Sequence, residues 1–329
     1  MNTDLLLDVE GLTVRFPTPA GVLTAVDGVS LRLGEGESLG LVGESGCGKT
    51  VTALSILGLV PKPGRVECQA LRFRGRDLAT LDEAKKRKLR GREMAIVFQE
   101  PMRSLNPVLQ CGEQVGEVLR VHLGMGGRAA RARTLSLFEQ VGLPDGAEIY
   151  HAFPHQLSGG MRQRVMIAMA LGCDPLLLLA DEPTTALDVT IEAQIVSLLA
   201  SLRHNRRLAV LFISHNLALV SETCEKVAVM YAGRIVEAAP VDEIFDRPLH
   251  PYTRALIECL PKMEGPPQRP TPIPGDVPHG LALPPGCRFS DRCPLAVPVC
   301  REREPRLSAV GSDRSVRCWL CEEERGGGA

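Results

Sequence analysis

The stretch Gly43-Glu44-Ser45-Gly46-Cys47-Gly48-Lys49-Thr50 decides the fold, because it fits the phosphate-loop pattern G-x-x-x-x-G-K-[ST]. Residues 38–42 before it are typical of a short buried strand, and residues 51–57 after it are typical of a helix. Glycines let such a loop wrap closely, so that its backbone N–H groups point at a phosphate chain. Lys49 would then reach the β- and γ-phosphates, and the Thr50 hydroxyl would bind Mg²⁺. The alternative is a chance glycine-rich turn, which the flanking strand and helix disfavour.

The composition allows one large domain with an appendage, or two domains, in 329 residues. The net charge is −1 and aromatic residues make up 4%, so neither a basic footprint nor a stacking surface for nucleic acid is expected. No apolar run is long enough to cross a bilayer. The first four residues lack the basic region of a signal peptide. We therefore expect a cytoplasmic protein that does not bind nucleic acid.

Polar residues follow directly after several short apolar runs, as Gln99, Asp181, Glu182 and His215 do. In open α/β sheets, ligands lie beyond the carboxyl ends of the strands. At such a place Asp181 would hold Mg²⁺ through water, and Glu182 would polarise an attacking water. Gln99 could touch Mg²⁺ or that water, and His215 could donate to a γ-phosphate. For each of these residues taken alone, the alternative is a polar residue at an ordinary strand end with no functional role.

Two further sites carry weaker signals. Ser158-Gly159-Gly160 stands at a predicted helix start, where unpaired N–H groups and the helix dipole can face an anion. Its alternative is an ordinary helix cap. Phe16, upstream of the loop, could stack on an adenine ring, and its alternative is a half-buried aromatic residue on a strand. Strands that alternate with helices predict a mainly parallel sheet covered by helices.

Taken in order, these motifs resemble those of the ATP-binding cassette (ABC) ATPases. The correspondence covers Walker A at Gly43–Thr50, the Q-loop at Gln99, the signature at Leu157–Met161, Walker B at Asp181–Glu182, the D-loop at Ala186–Asp188 and the switch histidine at His215. The resemblance implies an α/β fold with a P-loop NTPase (RecA-like) core. It further implies a mainly parallel sheet, an N-terminal antiparallel β segment and a helical signature subdomain at about 101–165, within a nucleotide-binding domain over residues 1–245.

The same resemblance implies a head-to-tail dimer of two cassettes that bind ATP and Mg²⁺. In that dimer Ser158 and the Gly160 amide meet the γ-phosphate bound by the partner, and Asp188 lines the interface. Phe16 matches the position of the family's adenine-stacking aromatic residue. Met161 departs from the commonest form of the signature, which has glutamine there.

Three other segments are similar to the oligopeptide/dipeptide (peptide/nickel) importer ATPases, namely residues 98–107, 247–256 and 283–294. This closer resemblance implies a C-terminal extension over residues 246–329. It implies a peripheral ATPase on the cytoplasmic face of the cell membrane that energises import of di- and oligopeptides. The implied partners are a second ABC ATPase, expected to be a paralogue, two transmembrane permease subunits and an extracytoplasmic peptide-binding protein. The segment Gln99–Pro107 is the expected contact with the permeases.

The extension is rich in cysteine, with the spacing C-x₅-C-x₆-C-x₁₇-C at Cys287, Cys293, Cys300 and Cys318. Four thiolates can hold zinc or a [4Fe–4S] cluster, and metal-free thiols are the third possibility. Cys321 forms C-x₂-C with Cys318 and could replace it as the fourth ligand. Importer ATPases with this pattern are understood to carry a [4Fe–4S] cluster, so the resemblance favours that assignment. Residues 261–285 are proline-rich and predict a linker.

Competing functions keep some support from the sequence. A soluble ABC ATPase with an iron–sulfur appendage could act on ribosomes or nucleic acid, although the near-neutral charge argues against it. A non-catalytic regulatory cassette would not need Lys49, Asp181, Glu182 and His215 intact. Within the importer family, nickel chelates and glutathione-like peptides are alternative cargoes, and the sequence does not choose among them.

Overall fold

A computed structural model of the chain describes residues 5–185, 187–260, 272–278 and 280–321. The chain forms two compact units. The signature unit comprises Met1–Leu6, Leu33–Ser38 and Arg74–Ile213, and the P-loop unit comprises Leu7–Arg32, Leu39–Phe73 and Ser214–Ala329. Position 186 of the predicted D-loop and residues 261–271 and 279 of the predicted linker lie outside the described residues.

Strands and helices alternate along the middle of the chain. The strands are β1 (Leu5–Thr18), β2 (Gly21–Gly34), β3 (Ser38–Val42), β4 (Arg65–Glu67), β5 (Ala70–Phe73), β6 (Arg76–Asp77), β7 (Met94–Val97), β8 (Leu177–Asp181), β9 (Ala209–Ser214), β10 (Lys226–Tyr231), β11 (Arg234–Pro240), β12 (Ser308–Ala309) and β13 (Ser315–Val316). The helices are α1 (Lys49–Leu57), α2 (Glu83–Leu89), α3 (Pro101–Ser104), α4 (Cys111–Leu123), α5 (Gly127–Gln140), α6 (Gly146–His151), α7 (Gly159–Leu171), α8 (Val189–Arg206), α9 (Leu217–Thr223), α10 (Val241–Asp246), α11 (Pro251–Glu258) and α12 (Pro298–Glu302), with a 3₁₀ turn at Pro154–Gln156.

The signature unit contains a parallel arrangement of three strands, in which β8 lies between β7 and β9. All residues of β8 and β9 are buried, which is typical of parallel strands covered on both faces. Helices α4, α5, α6 and α7 pack on one another, where the sequence predicts a helical subdomain. Val115 and Leu119 of α4 and Leu137 and Phe138 of α5 are fully buried. The boundaries of that subdomain stay a prediction.

The P-loop unit combines antiparallel and parallel pairing. Strand β1 pairs antiparallel with β4 and β5, and β3 pairs parallel with β10. Strands β10 and β11 pair antiparallel as a hairpin. The fully buried β3 delivers the chain to the phosphate loop, and Gly58 in the left-handed conformation ends α1 beyond it. The predicted fold class, a P-loop α/β core with an N-terminal antiparallel segment, is confirmed.

The C-terminal extension packs into the P-loop unit through strand pairing and aromatic contacts. Strand β13 pairs antiparallel with β11, which places Val316 opposite Glu237. The rings of Tyr231, Tyr252 and Phe289 contact one another in a buried cluster. Burial of three aromatic side chains contributes strongly to stability. The predicted boundary between residues 245 and 246 stays a prediction.

Within the described ranges, every helix is too short or too polar to span a lipid bilayer.

Candidate functional site

Glycines shape the phosphate loop where the backbone is crowded or turns through left-handed conformations. A Cβ atom on Gly43 would lie 2.1 Å from the Met230 carbonyl oxygen, so no larger residue fits there. Gly46 and Gly48 have φ angles of 78° and 108°, which glycine adopts at little cost. Helix α1 begins at Lys49, immediately after the loop. The positive end of its dipole therefore faces the loop, which favours an anion there.

Lys49 lies across this loop and contacts its backbone. Its Nζ donates to the carbonyl oxygens of Gly43 at 2.7 Å and Glu44 at 3.1 Å. The lysine is 5% exposed. Cys47, inside the same turn, is buried, and burial raises the pKa of its thiol. Lys49 is thus the cation of the loop, and Cys47 is an inert packing residue under this environment.

Glu44, in contrast, points away from the loop and contacts the C-terminal extension. Its two carboxylate oxygens accept from the two terminal nitrogens of Arg292 at 2.7 and 3.0 Å. Its backbone N–H donates to the Tyr252 hydroxyl at 2.9 Å. Sequence reasoning missed both partners. Arg292 lies 248 residues from Glu44, so no local pattern connects them.

The acidic pair at the end of β8 has two distinct environments. Asp181 is the last residue of the strand and is 2% exposed. Glu182 has a φ angle of 46°, a conformation that a residue with a side chain rarely adopts and that often marks a functional turn. Its Oε2 accepts from Gln99 Nε2 at 2.8 Å and from Thr185 Oγ1 at 2.9 Å. The structure therefore brings Gln99 and Glu182 together, as their predicted roles on one water require.

The signature turn and the D-loop aspartate cap neighbouring helices. Ser158 Oγ accepts from the Met161 N–H at 3.3 Å at the start of α7. Asp188 Oδ1 accepts from the Ile191 N–H at 2.9 Å at the start of α8. A Cβ atom on Gly160 would lie 2.7 Å from Ile191 Cγ2, so the glycine permits the close approach of the two helix starts. The capping explanation thus holds within this chain, and the contacts of Ser158, Gly159, Gly160 and Asp188 with a partner's nucleotide stay predictions.

His215 and Phe16 lie in the P-loop unit. His215 is exposed and directly follows β9, at the place where the sequence puts a switch residue. Phe16 is half-buried on β1, and its ring edge lies against Gly64, where an added Cβ would be 2.6 Å from Phe16 Cε1. The structure therefore gives Phe16 a packing contact, and its stacking on adenine stays a prediction.

Oxygen donors are present for Mg²⁺ on Thr50, Gln99 and Asp181. Mg²⁺ prefers oxygen ligands and usually takes only one or two from a nucleotide-binding protein, the rest coming from phosphates and water. The donor chemistry therefore fits this ion.

Four of the extension's cysteines line one cavity. Cys287, Cys293, Cys300 and Cys318 surround it together with Phe289. All eleven cysteines lie in the described ranges, and none of them forms a disulfide there. Cys321 is outside the cavity lining, and its Sγ lies 4.0 Å from the Leu249 carbonyl oxygen. A hydrogen bond with the Cys321 side chain lowers the pKa of Cys318 to about 7.

These four thiols are not gathered around one point within the described part of the chain. A zinc site needs its sulfur atoms about 2.3 Å from one point. Among the described residues, no three candidate ligand side chains gather tightly enough to hold one metal ion. A [4Fe–4S] cluster is held by four cysteines around a larger body. The four cysteines that line the cavity agree with that donor set in type and number only, and the cluster stays a prediction.

Comparisons with known proteins agree with this geometry. A family model described as "ABC transporter" matches residues 26–185, and one described as "Oligopeptide/dipeptide transporter, C-terminal region" matches residues 236–300. The dipeptide transport ATP-binding protein DppD of Escherichia coli (strain K12) is 47% identical over 321 residues, covering 98% of each chain. The oligopeptide transport ATP-binding protein AppD of Bacillus subtilis (strain 168) is 47% identical over 320 residues, covering 97% of this chain and 98% of its own.

A solved structure extends the comparison to three dimensions. The dimeric, post-hydrolysis ATP-binding cassette MJ0796 bound to ADP and Pi has a TM-score of 0.63 and 28% identity, covering 72% of this chain and 99% of its own. The loop geometry, the paired Gln99 and Glu182 and these full-length matches lead to one assignment. The chain belongs to the ABC transporter ATPases, in the family of oligopeptide/dipeptide transport ATP-binding proteins.

Proposed function

We propose that this protein is the ATP-hydrolysing subunit that energises an importer of di- and oligopeptides. The observation that carries the proposal is similarity over nearly the whole chain to proteins named for dipeptide and oligopeptide transport, including a separate match to the family's C-terminal region. The phosphate loop and the Gln99–Glu182 pair supply the means of hydrolysis. Closure of two cassettes on ATP, and reopening after hydrolysis, would drive the permeases.

Each motif then has a proposed role in the reaction. Glu182 polarises the attacking water, Gln99 orients Glu182 and touches the water or Mg²⁺, and His215 donates to the γ-phosphate. Lys49 and the loop amides bind the phosphates, and Phe16 stacks on adenine. Thr50 and Asp181 are proposed Mg²⁺ ligands, Asp181 through water. Ser158, Gly159, Gly160 and Asp188 act on the nucleotide bound by a second cassette, expected to be a paralogue.

The permease contact is proposed for the surface around α3. Phe98, Met102, Val108 and Leu109 are exposed there, with Val108 75% and Met102 48% accessible. Large apolar side chains grouped on a surface commonly mark an interface. This surface would contact one of the two transmembrane permease subunits on the cytoplasmic face of the membrane. A peptide-binding protein outside the membrane would deliver the cargo.

The cysteine cavity is proposed to hold a [4Fe–4S] cluster through Cys287, Cys293, Cys300 and Cys318. The support is the set of four thiols around one cavity and the family pattern. Such a cluster would cross-link the segments of a small extension and so add folding energy. Zinc is the alternative occupant, and Cys321 is the alternative fourth ligand.

Reconstitution tests the proposed function. The protein, its permeases, the second ATPase and the binding protein would be placed in liposomes, and uptake of a labelled dipeptide would be measured with ATP inside. We expect uptake that requires ATP and stops with Glu182→Gln. ATP-driven uptake of a nickel chelate or of glutathione, without uptake of dipeptides, would show that the transported substrate is not a dipeptide. ATP hydrolysis stimulated by ribosomes and unaffected by permeases would overturn the importer assignment.

A further inference from the structure

The phosphate loop contains a carboxylate side chain, that of Glu44. A carboxylate is an unexpected group in a loop that binds a triphosphate, because like charges repel. We infer that Arg292 and Tyr252, in the C-terminal extension, are positioning residues of the nucleotide site: Arg292 holds the Glu44 carboxylate outward and cancels its charge, and Tyr252 fixes the Glu44 backbone. The inference rests on the proposed binding of ATP at the phosphate loop.

Arg292 has the geometry of a fixed counter-ion. It is buried, with its side chain 5% exposed, and its two terminal nitrogens contact the two oxygens of Glu44. Two-pronged arginine–carboxylate contacts fix orientation as well as charge. The guanidinium is itself anchored, because its Nε donates to the Pro274 carbonyl at 2.8 Å and Nη2 donates to the Ile273 carbonyl at 3.2 Å. Arg292 therefore cannot follow Glu44 toward the loop without breaking these bonds.

The Tyr252 hydroxyl contacts the backbone of Glu44. It accepts the Glu44 N–H at 2.9 Å, so this amide is turned toward the extension. Tyr252 is fully buried, and its ring centroid lies 4.6 Å from that of Tyr231 and 5.4 Å from that of Phe289. Packing against these two rings restrains the Tyr252 side chain and its hydroxyl. The direction of the peptide that enters the phosphate loop is thus set by the aromatic cluster of the extension.

A merely structural contact would produce a different pattern of effects from charge cancellation. If Arg292 only stabilised the fold, its loss would weaken binding of charged and uncharged ligands alike. If Arg292 cancels the charge of Glu44, loss of Arg292 would lower the affinity for ATP. The affinity for adenosine, which has no phosphates, would stay the same. Removal of the Glu44 carboxylate would then restore ATP binding even without Arg292.

The test measures the affinities of the full-length protein for fluorescent ATP and for adenosine. We expect Arg292→Gln to weaken ATP binding at least tenfold with little change for adenosine. We expect the Glu44→Gln/Arg292→Gln double variant to regain most of that loss. Tyr252→Phe removes only the hydroxyl and should weaken ATP binding a few-fold. Arg306→Gln, at an exposed arginine of the same extension, is the matched control and should leave binding unchanged.

Glu44→Gln alone keeps the inference falsifiable if Arg292→Gln fails to fold. It removes the negative charge and leaves Arg292 in place, so ATP affinity should rise at least twofold. A fall in ATP affinity, or a double variant no better than Arg292→Gln, would overturn the inference. Absence of ATP binding by the unaltered protein would instead refute the proposed function, which separates the two failures.

Discussion

Gln99 Nε2 donates a hydrogen bond to Glu182 Oε2 at 2.8 Å, although the two residues are 83 positions apart. Strand pairing explains the contact. Val97 of β7 is registered with Ala180 of β8, so both residues emerge just beyond the same edge of a parallel pair. Thr185 donates to the same carboxylate oxygen. Two neutral donors thus orient the Glu182 side chain, which its proposed role as a base needs.

Replacement of Glu182 by glutamine should separate binding from chemistry. The amide keeps the shape of the side chain and can still accept from Gln99, but it cannot take up a proton. We expect kcat for ATP hydrolysis to fall by about 10²–10⁴-fold, with ATP affinity retained. Phosphate release and fluorescent-nucleotide titration would measure the two quantities. An unchanged kcat in this variant would contradict the proposed role of Glu182.

A second carboxylate at position 99 should change the pH profile. In Gln99→Glu, two acids would lie within hydrogen-bond distance and would share a proton, which raises the apparent pKa of the pair. We expect the acidic limb of the kcat profile to move to higher pH. Gln99→Ala, which removes the donor without adding charge, is the control and should lower kcat without moving that limb. Identical profiles for both variants would mean that Gln99 does not act through Glu182.

Metal analysis of two cysteine variants should identify the fourth ligand. Cys318 lines the cysteine cavity and Cys321 does not. We expect anaerobically purified protein to show broad visible absorption and about four irons per chain. Cys318→Ser should lose most of the iron, and Cys321→Ser should keep it. The reverse result would reassign the ligand, and one zinc per chain would exclude the cluster.

Asp27 should contribute to stability in a pH-dependent way. Burial alone would raise the pKa of its carboxyl, but hydrogen bonds and charges from Arg234 and Arg288 outweigh burial and lower it. Because the folded-state pKa lies below the ordinary value of about 3.9, the contribution is complete above that value and is lost as the pH falls through the folded-state pKa. Urea unfolding from pH 7 to pH 3 should show a shallower loss of stability for Asp27→Asn. Parallel curves for the two proteins would contradict this account.

The buried ion pair of Glu237 and Arg314 should be a large contributor to attachment of the extension. Glu237 is 0% exposed and accepts from Arg314 Nη2 at 2.7 Å and from the His250 N–H at 2.9 Å. Loss of one partner from a buried pair costs about 3–5 kcal/mol, so we expect Glu237→Ala to lower the free energy of unfolding by that amount. Glu243→Ala, which removes the exposed partner of the same arginine, should cost at most about 1 kcal/mol. Equal effects in urea unfolding would refute the distinction.

Local chemistry made the phosphate loop predictable. One short turn requires all the residues of the pattern, namely Gly43, Gly46, Gly48 and Lys49. The pattern can therefore be recognised in the sequence without knowledge of the fold. The strand ends at Asp181 and Glu182 were predictable for a similar reason, since apolar runs mark buried strands. The contact of Gln99 with Glu182 needed the register of two strands, which the sequence pattern does not specify.

Contacts of the extension were not predictable from the same patterns. No sequence pattern links Glu44 with Arg292 or Tyr252. The packing of segments that are distant along the chain decides which of these residues come into contact. Cysteine spacing predicts Cys287, Cys293, Cys300 and Cys318 as ligands of one centre; all four line one cavity, and their role as ligands stays a prediction. Which of Cys318 and Cys321 faces the cavity depends on the direction of one short helical turn, and spacing alone leaves that open.

The Glu44–Arg292 contact has a consequence for biosynthesis. During translation Glu44 is incorporated 248 residues before Arg292. At about 5–20 residues per second, the delay is about 12–50 s. During that interval the nascent loop carries an uncompensated carboxylate. If Arg292 acts as proposed, a chain that is truncated by a premature stop would contain every nucleotide motif and bind ATP more weakly, and synthesis of the final segment would be the step at which the cassette gains its full affinity.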